Sequence, residues 1–256
     1  MSATTVIATI ALVALSLLSA CTGAETREES PTAIPSPTPS FAPSPTTLPP
    51  DPSPTPTPTP PPAQAEGPGD LLTIVDKEHE LPQTYVPPNL VEISPDWLAP
   101  GFANQLLRSE AADALVALLQ AAGAEGHELR VRSAYRSYEE QASTFQFWVN
   151  QLGEEEARRV SAPPGHSEHQ LGATVDLTSA AVGWQLVQTF GQTPEGQWLA
   201  AHAHEYGFAL SYPQGAEEIT GYAYEPWHFR YVGRGQAESW ARSGLTLIEF
   251  LRQIND

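Results

Sequence analysis

Hydrophobic residues follow two different spacings in the part of the chain beyond residue 70. Between Asn104 and Ala122 they recur every three or four residues, which predicts an α-helix with one buried face. We also predict helices over Tyr138–Leu152, Gln197–Tyr206 and Ser239–Ile254. Glycines directly follow the first and third of these segments, and glycine is a common residue at helix ends.

Short stretches between these helices have the composition and spacing of β-strands. Glu128–Ser133 alternates polar and apolar residues, and we predict further strands over Ala173–Leu177, Phe208–Tyr212 and Trp227–Val232. Residues 71–90 contain several prolines and are predicted to be mostly loop. Because helices and strands do not alternate strictly along the chain, the pattern predicts an α+β fold.

The beginning of the chain has the features of a bacterial export signal. Val6–Leu18 is a mostly apolar run, shorter than the ~20 residues that span a bilayer. It leads into Leu18-Ser19-Ala20-Cys21, which resembles the lipobox of bacterial lipoproteins. We therefore predict a lipoprotein signal peptide over residues 1–20 and an extracytoplasmic protein, lipid-anchored through Cys21 to the outer face of the cell membrane. No Lys or Arg precedes Val6, and the alternative is a plain secretory signal that gives a secreted protein.

A proline-rich segment follows this signal. Of the 26 prolines in the chain, 15 lie between Pro31 and Pro62, largely in pairs with Ser or Thr. Such a segment buries too little apolar surface to fold, so we predict that residues 21–68 form the lipidated N-terminus and a disordered Pro/Ser/Thr-rich linker. The remaining residues, 69–256, are long enough for one folded domain.

Charge and cysteine content exclude some classes of protein. The formal net charge is -18, which argues against a nucleic-acid partner because such binding requires a basic surface. The chain has one cysteine, Cys21, so no disulfide forms within it. The stability of an exported domain without disulfides then rests on its core or on a bound metal.

The first cluster of chemically active residues surrounds His169. Gly172 allows the chain to reverse after this histidine, and the predicted strand that follows carries Asp176 back. Such a turn brings an imidazole nitrogen and a carboxylate oxygen to the same zinc ion. Taken alone, a histidine and an aspartate seven residues apart are more often structural than metal-binding.

The second cluster is Glu225-Pro226-Trp227-His228. In an ideal strand Glu225 and His228 would point to opposite faces, but Pro226 favours a bend that directs both into one pocket. His228 would then complete a three-ligand set that leaves the fourth zinc position open for water. Glu225 would act as the general base toward that water. Taken alone, this sequence is also compatible with a turn packed around the tryptophan.

The third cluster is Ser133-Ala134-Tyr135-Arg136-Ser137, followed by Gln141. An arginine at a strand end presents a fixed cation to a carbonyl oxygen that becomes an oxyanion. Ser137 and Gln141 offer neutral hydrogen bonds to a peptide. A Tyr-Arg-Ser sequence alone more often lies on a surface, so it is the joint presence of the three clusters that indicates a site.

Together these motifs resemble those of the VanY-type D-alanyl-D-alanine carboxypeptidases, zinc peptidases of the LAS superfamily. The resemblance covers nearly the whole predicted domain. Its main motifs are Val75-Asp76-Lys77-Glu78-His79-Glu80-Leu81-Pro82, Ser133-Ala134-Tyr135-Arg136-Ser137-Tyr138, Pro164-Gly165-His166-Ser167-Glu168-His169 and Tyr222-Ala223-Tyr224-Glu225-Pro226-Trp227-His228-Phe229-Arg230-Tyr231. It implies an α+β, hedgehog/D,D-peptidase-like zinc peptidase domain with a small central antiparallel sheet flanked by helices.

The resemblance also implies roles for single residues. Three residues would hold one zinc ion, namely His169, Asp176 and His228. Three others would contact the substrate, namely Ser137, Gln141 and Ser167. Glu225 would be the catalytic base and Arg136 the cation that stabilises the oxyanion, in a reaction that removes the terminal D-alanine from peptidoglycan stem peptides. Two positions depart from the family pattern, Ser211 where relatives often carry arginine and His202 where they often carry asparagine.

Two alternative functions stay open. An L,D-carboxypeptidase or an endopeptidase of the same fold would differ in the pocket around the leaving residue, which the motifs do not specify. A protein of another class, a catalytically silent zinc-containing wall-binding module, would not need Glu225 and Arg136. The presence of both residues favours an enzyme.

Overall fold

Two antiparallel sheets form the framework of residues 70–255, the part of the chain that the computed structural model describes. The smaller sheet pairs β1 (Leu90–Glu92) with β2 (Leu106–Arg108). The larger sheet contains β3 (Arg130–Ser133), β4 (Thr174–Thr178), β5 (Phe208–Leu210) and β6 (His228–Tyr231). Its spatial order is β3-β4-β6-β5.

Helices pack around these sheets. The described residues contain α1 (Ser109–Ala124), α2 (Tyr138–Leu152), α3 (Glu154–Val160), α4 (Pro194–His202), α5 (Glu217–Thr220), α6 (Arg234–Ser243) and α7 (Leu247–Asn255). Short 3-10 helices include Glu168–Leu171 and Ala203–Tyr206. The predicted α+β fold, with a small central antiparallel sheet flanked by helices, is confirmed.

The main core lies between α1 and one face of the larger sheet. Leu115 and Leu118 of α1 pack with Val175 and Leu177 of β4 and with Phe229 of β6, and all five are almost completely buried. Burial of one such side chain contributes ~1.5–3 kcal/mol. Because side chains alternate along a strand, burying Val175 and Leu177 in this core directs the residue between them to the opposite face.

Two helix predictions hold to different degrees. Helix α2 has the predicted bounds because the Ser137 hydroxyl accepts a hydrogen bond from Glu140 N, while the Glu140 carboxylate accepts one from Ser137 N. Helix α1 begins at Ser109 rather than at Asn104. The residues before it pair with β1 as strand β2, and that tertiary pairing outweighs their helical spacing.

The C-terminal helix prediction is wrong in one respect. The single helix predicted over Ser239–Ile254 is two helices, because Gly244 adopts a left-handed φ of 72° and ends α6. The helix predicted over Gln197–Tyr206 begins earlier, at Pro194, and its last turn is the 3-10 helix Ala203–Tyr206.

The structural description starts after the N-terminal region. The predicted signal peptide, Cys21 and the proline-rich linker lie outside the described residues. Between residues 70 and 255, none of the helices has both the length and the apolar character needed to cross a membrane.

Candidate active site

A cleft of about 840 Å³ opens beside the larger sheet, lined by residues of β3, β4 and β6. It brings together five residues predicted for metal binding and catalysis, namely Arg136, His169, Asp176, Glu225 and His228. Gln141 and Ser167 also line the cleft, whereas Ser137 is not among its lining residues. The three sequence clusters therefore meet at one place in the fold.

His169 and Asp176 approach each other because the chain reverses between them. His169 lies in a 3-10 helix that ends at Gly172, whose φ is 68°. A Cβ atom at Gly172 would lie 2.7 Å from Pro87 Cγ, so both conformation and space favour glycine there. Strand β4 then carries Asp176, whose Cα partner on β6 is His228. The turn and the strand pairing thus place three potential ligands together.

The ligand atoms of these three residues converge in a buried position. One atom from each lies within 4.8 Å of the others, and within residues 70–255 this is the one such group of His, Cys, Asp or Glu. His169 Nε2 is 3.3 Å from Asp176 Oδ2, and His228 Nδ1 is 3.3 Å from Asp176 Oδ1. Asp176 Oδ1 is buried without a hydrogen-bond partner in the described chain. A buried, unsatisfied acceptor facing two ring nitrogens fits a tetrahedral zinc ion with one open position.

The second nitrogen of each histidine is hydrogen bonded, which fixes the nitrogen that faces the metal position. His169 Nδ1 lies 2.6 Å from the Ala134 carbonyl oxygen and donates to it, so Nε2 is free to bind. His228 Nε2 lies 3.0 Å from Glu168 Oε2, so Nδ1 is free to bind. The two imidazoles therefore direct different nitrogens toward the metal position, Nε2 of His169 and Nδ1 of His228.

The charges of this group depend on one another. Burial alone would raise the pKa of Asp176, but His169 and His228 hold it well below its usual range. Burial alone would lower the pKa of His228, but the neighbouring carboxylates of Asp176 and Glu168 raise it to about 10. Burial lowers the pKa of His169. In the metal-free protein at neutral pH, His228 is therefore a cation beside two carboxylates.

Zinc binding at pH 8 is expected to release about one proton per protein molecule. The imidazolium form of His228 has no lone pair for a metal, and its raised pKa maintains that form at pH 8. Calorimetry of zinc binding in two buffers with different ionisation enthalpies measures the proton number. We expect zinc affinity to rise with pH up to about 10, whereas pH-independent binding without proton release would contradict the ion pairs of His228.

Glu225 lies beside the metal ligands. The bend predicted at Pro226 is a turn in which His228 N donates to the Glu225 carbonyl oxygen at 3.1 Å. Glu225 Oε2 lies 3.4 Å from His228 Nδ1, the nitrogen that faces the metal position. Burial raises the pKa of Glu225 to about 7, so this carboxyl gains and loses a proton close to neutral pH.

Arg136 is held in place by two hydrogen bonds. Its Nη1 donates to Gln141 Oε1 at 2.6 Å and its Nη2 donates to Ser133 Oγ at 3.0 Å. Gln141 is itself fixed, because its Nε2 donates to the Ala162 carbonyl oxygen at 2.6 Å. Burial lowers the pKa of Arg136, but a guanidinium stays charged in proteins. The structure thus places Gln141 as the residue that orients Arg136.

The two serines predicted to contact substrate occupy different positions. The Ser137 hydroxyl accepts the backbone N–H of Glu140 at the start of α2, which directs it to the helix end rather than into the cleft. Ser167 is 5% exposed and lines the cleft beside the metal ligands. Ser167 therefore lies where a substrate contact is expected, whereas the Ser137 hydroxyl caps α2 and the predicted substrate contact of Ser137 stays a prediction.

Glu168 is a buried carboxylate to which the sequence analysis assigns no role. Its Oε2 accepts hydrogen bonds from His228 Nε2 at 3.0 Å and from Ser211 Oγ at 2.6 Å. Its Oε1 accepts one from Arg230 Nη1 at 2.9 Å, and Arg230 is fully buried. Burial alone would raise the pKa of Glu168, but Arg230 and His228 lower it to about 2. The sequence contains one signal for this buried ion pair. Side chains alternate along β6, so Arg230 lies on the same face as His228.

Substitution Glu168→Gln is expected to weaken zinc binding about 10–100-fold. The amide keeps the shape of the side chain but loses the charge that orients His228, and it leaves the buried Arg230 without a counter-ion. Competition with a chelator measures the affinity. Glu205→Gln, at an exposed position, is the matched control and should bind zinc like the wild type. Equal affinities for all three proteins would exclude an orienting role for Glu168.

Known proteins with sequences similar to this chain are named as carboxypeptidases. The family model of the VanY D-alanyl-D-alanine carboxypeptidases matches residues 104–234. The putative carboxypeptidase YodJ of Bacillus subtilis is 40% identical over 190 residues, which cover 74% of this chain and 70% of YodJ.

Solved structures of peptidases also resemble this chain. The LdcB LD-carboxypeptidase superposes with a TM-score of 0.68 and 39% identity, over 74% of this chain and 89% of LdcB. A VanY D,D-pentapeptidase from the VanB-type resistance cassette, in complex with Zn(II), superposes with a TM-score of 0.60 and 30% identity, over 70% of this chain and 98% of that structure. This chain therefore belongs to the VanY family of D-alanyl-D-alanine carboxypeptidases.

Proposed function

We propose that this protein is a zinc-dependent carboxypeptidase that removes the terminal D-alanine from peptidoglycan stem peptides. The observation that carries the proposal is the buried group of His169, Asp176 and His228, with Glu225 3.4 Å from His228 in the same cleft. The Zn(II) in the VanY relative supports zinc as the metal. Bound by these three residues, zinc would polarise a water molecule and the scissile carbonyl.

The chain's own residues supply the remaining steps. Ionised Glu225 accepts a proton from the attacking water and later donates it to the leaving amine, and its place beside the metal ligands supports both transfers. Arg136, held by Gln141 and Ser133, directs a fixed positive charge at the carbonyl oxygen as it becomes negative. The surrounding cleft has room for a peptide end.

An L,D-carboxypeptidase is the second candidate function. It is favoured by the similarity to LdcB, whose identity with this chain is 39%, compared with 30% for the VanY structure. Parallel incubation of the zinc-loaded protein with pentapeptide and tetrapeptide stems separates the two activities. Faster loss of alanine from pentapeptides supports the D,D-carboxypeptidase, and cleavage of tetrapeptides alone would replace it with the L,D activity.

We also propose that the protein acts outside the cell membrane, anchored through a lipid on Cys21. Support comes from the apolar run Val6–Leu18 and the lipobox-like sequence that ends at Cys21. In a bacterial host, Cys21→Ser should move the protein from the membrane fraction to the medium or abolish processing. An unchanged membrane fraction together with normal removal of the signal peptide in the variant would contradict the lipid anchor.

A further inference from the structure

Arg132 is a cation that lines the cleft and stacks on an aromatic ring. Within residues 70–255 it makes no ion pair and no hydrogen bond, and its Nε atom is buried without a partner. Its guanidinium lies over the ring of Phe102, with Cζ 3.7 Å from the ring centroid. This stacking fixes the plane of the guanidinium but uses none of its N–H donors.

The backbone directs this side chain toward the site. Val131 pairs with Leu177 and Ser133 pairs with Asp176, so Arg132 is an extra residue in β3 that has no partner on β4. Such a β-bulge changes the direction of a side chain and is common beside active sites. The bulge immediately precedes the residue paired with Asp176, which places Arg132 next to the proposed metal ligands.

The other arginine of the cleft is already engaged. Both terminal nitrogens of Arg136 donate to protein atoms, Gln141 Oε1 and Ser133 Oγ, whereas the buried Nε of Arg132 has no hydrogen-bond partner within residues 70–255. A buried donor without a partner is costly in the free protein and becomes favourable when a ligand supplies the acceptor. The planar fork of a guanidinium matches a carboxylate.

We propose that Arg132 binds a carboxylate group of the peptide substrate and so contributes to substrate selection. The inference rests on the proposed carboxypeptidase function, because a stem peptide is taken as the ligand. Such a peptide offers two carboxylates of the same chemistry, the C-terminal one of the leaving residue and one on an acidic residue upstream of the cleaved bond.

The test measures binding rather than turnover. Zinc-loaded protein carrying Glu225→Gln is titrated by calorimetry with three pentapeptides: one with both carboxylates free, one with an upstream amide and one with a C-terminal amide. Adding Arg132→Met should weaken binding of the free peptide about 10–100-fold. The loss should vanish for one amidated peptide, and that peptide identifies the carboxylate that Arg132 binds.

Two further variants control for structure. Arg130→Met, on the same strand but outside the lining of the cleft, should leave all three affinities unchanged. Arg132→Lys keeps the charge without the fork and should lose less affinity than Arg132→Met for the same peptides. Equal effects of the Arg132 variants on all three peptides, or no effect on any, would overturn the inference. No binding of any peptide while Arg132 is intact would overturn the proposed function itself.

Discussion

The Glu225→Gln protein is expected to bind one zinc ion and to lose about 10²–10⁴-fold in kcat. Glutamine keeps the size of the side chain but accepts no proton from water. The metal position is formed by His169, Asp176 and His228, so the substitution leaves the proposed ligands intact. Because the affected step is proton transfer, KM should change much less than kcat.

The matched control for this experiment is Glu218→Gln, at an exposed glutamate. It should retain wild-type kcat and zinc content. Metal analysis by mass spectrometry and steady-state kinetics on a synthetic stem peptide measure both quantities for the three proteins. Wild-type turnover in Glu225→Gln would show that another group is the base, and loss of zinc would place Glu225 among the ligands.

The second large effect is expected for Asp176→Ala, which should abolish both stable zinc binding and activity. Asp176 lies between the two histidines, with one carboxylate oxygen facing the ring of each. Its removal therefore leaves the metal with only two imidazole ligands and no negative charge. Zinc at a thousandfold excess over its Kd stabilises a protein by about 4 kcal/mol. Wild-type Tm should therefore rise with added zinc, whereas the Tm of Asp176→Ala should not.

Asp113→Ala is the control for this pair of measurements, because Asp113 is an exposed aspartate on α1. It should show the wild-type increase in Tm with zinc and wild-type activity. A zinc-dependent increase in Tm for Asp176→Ala, equal to that of the control, would place the metal elsewhere. Retained activity in the same variant would show that the reaction does not require a metal bound by His169, Asp176 and His228.

Much of the site could be predicted because its signals are local in the sequence. Gly172 marks the reversal after His169, and Pro226 marks the turn that joins Glu225 to His228. Because glycine and proline have strong conformational preferences, the two turns could be predicted from the sequence without any tertiary contact. The antiparallel pairing of Asp176 with His228 then follows from the fold itself.

Other features depend on contacts that local spacing does not encode. Strands β1 and β2 have three residues each, too few for alternation to distinguish them from a loop or a helix start. Glu168 is charged and next to His169, yet it is buried because Arg230 and Ser211 meet it from other segments. Its role therefore follows from the tertiary structure alone.

Ser137 and Gly244 carry local sequence signals that determine the structure but that the predictions did not use. The spacing Ser137-x-x-Glu140 is that of a capping box, and it competes with a substrate-binding interpretation of the same serine. Gly244 is a typical helix terminator inside an otherwise helical pattern, and its left-handed conformation divides the C-terminal segment into α6 and α7. In both cases the local conformational preference decided the structure.

The central claim is that the cleft removes one terminal residue from stem peptides with Glu225 as the base. Mass spectrometry of pentapeptide stems, incubated with zinc-loaded wild-type protein and with Glu225→Gln, tests it most directly. The account predicts loss of a single C-terminal alanine in the wild type and intact peptide in the variant. Intact pentapeptide and tetrapeptide stems after incubation with wild-type protein that holds one zinc ion would contradict it and favour a wall-binding module.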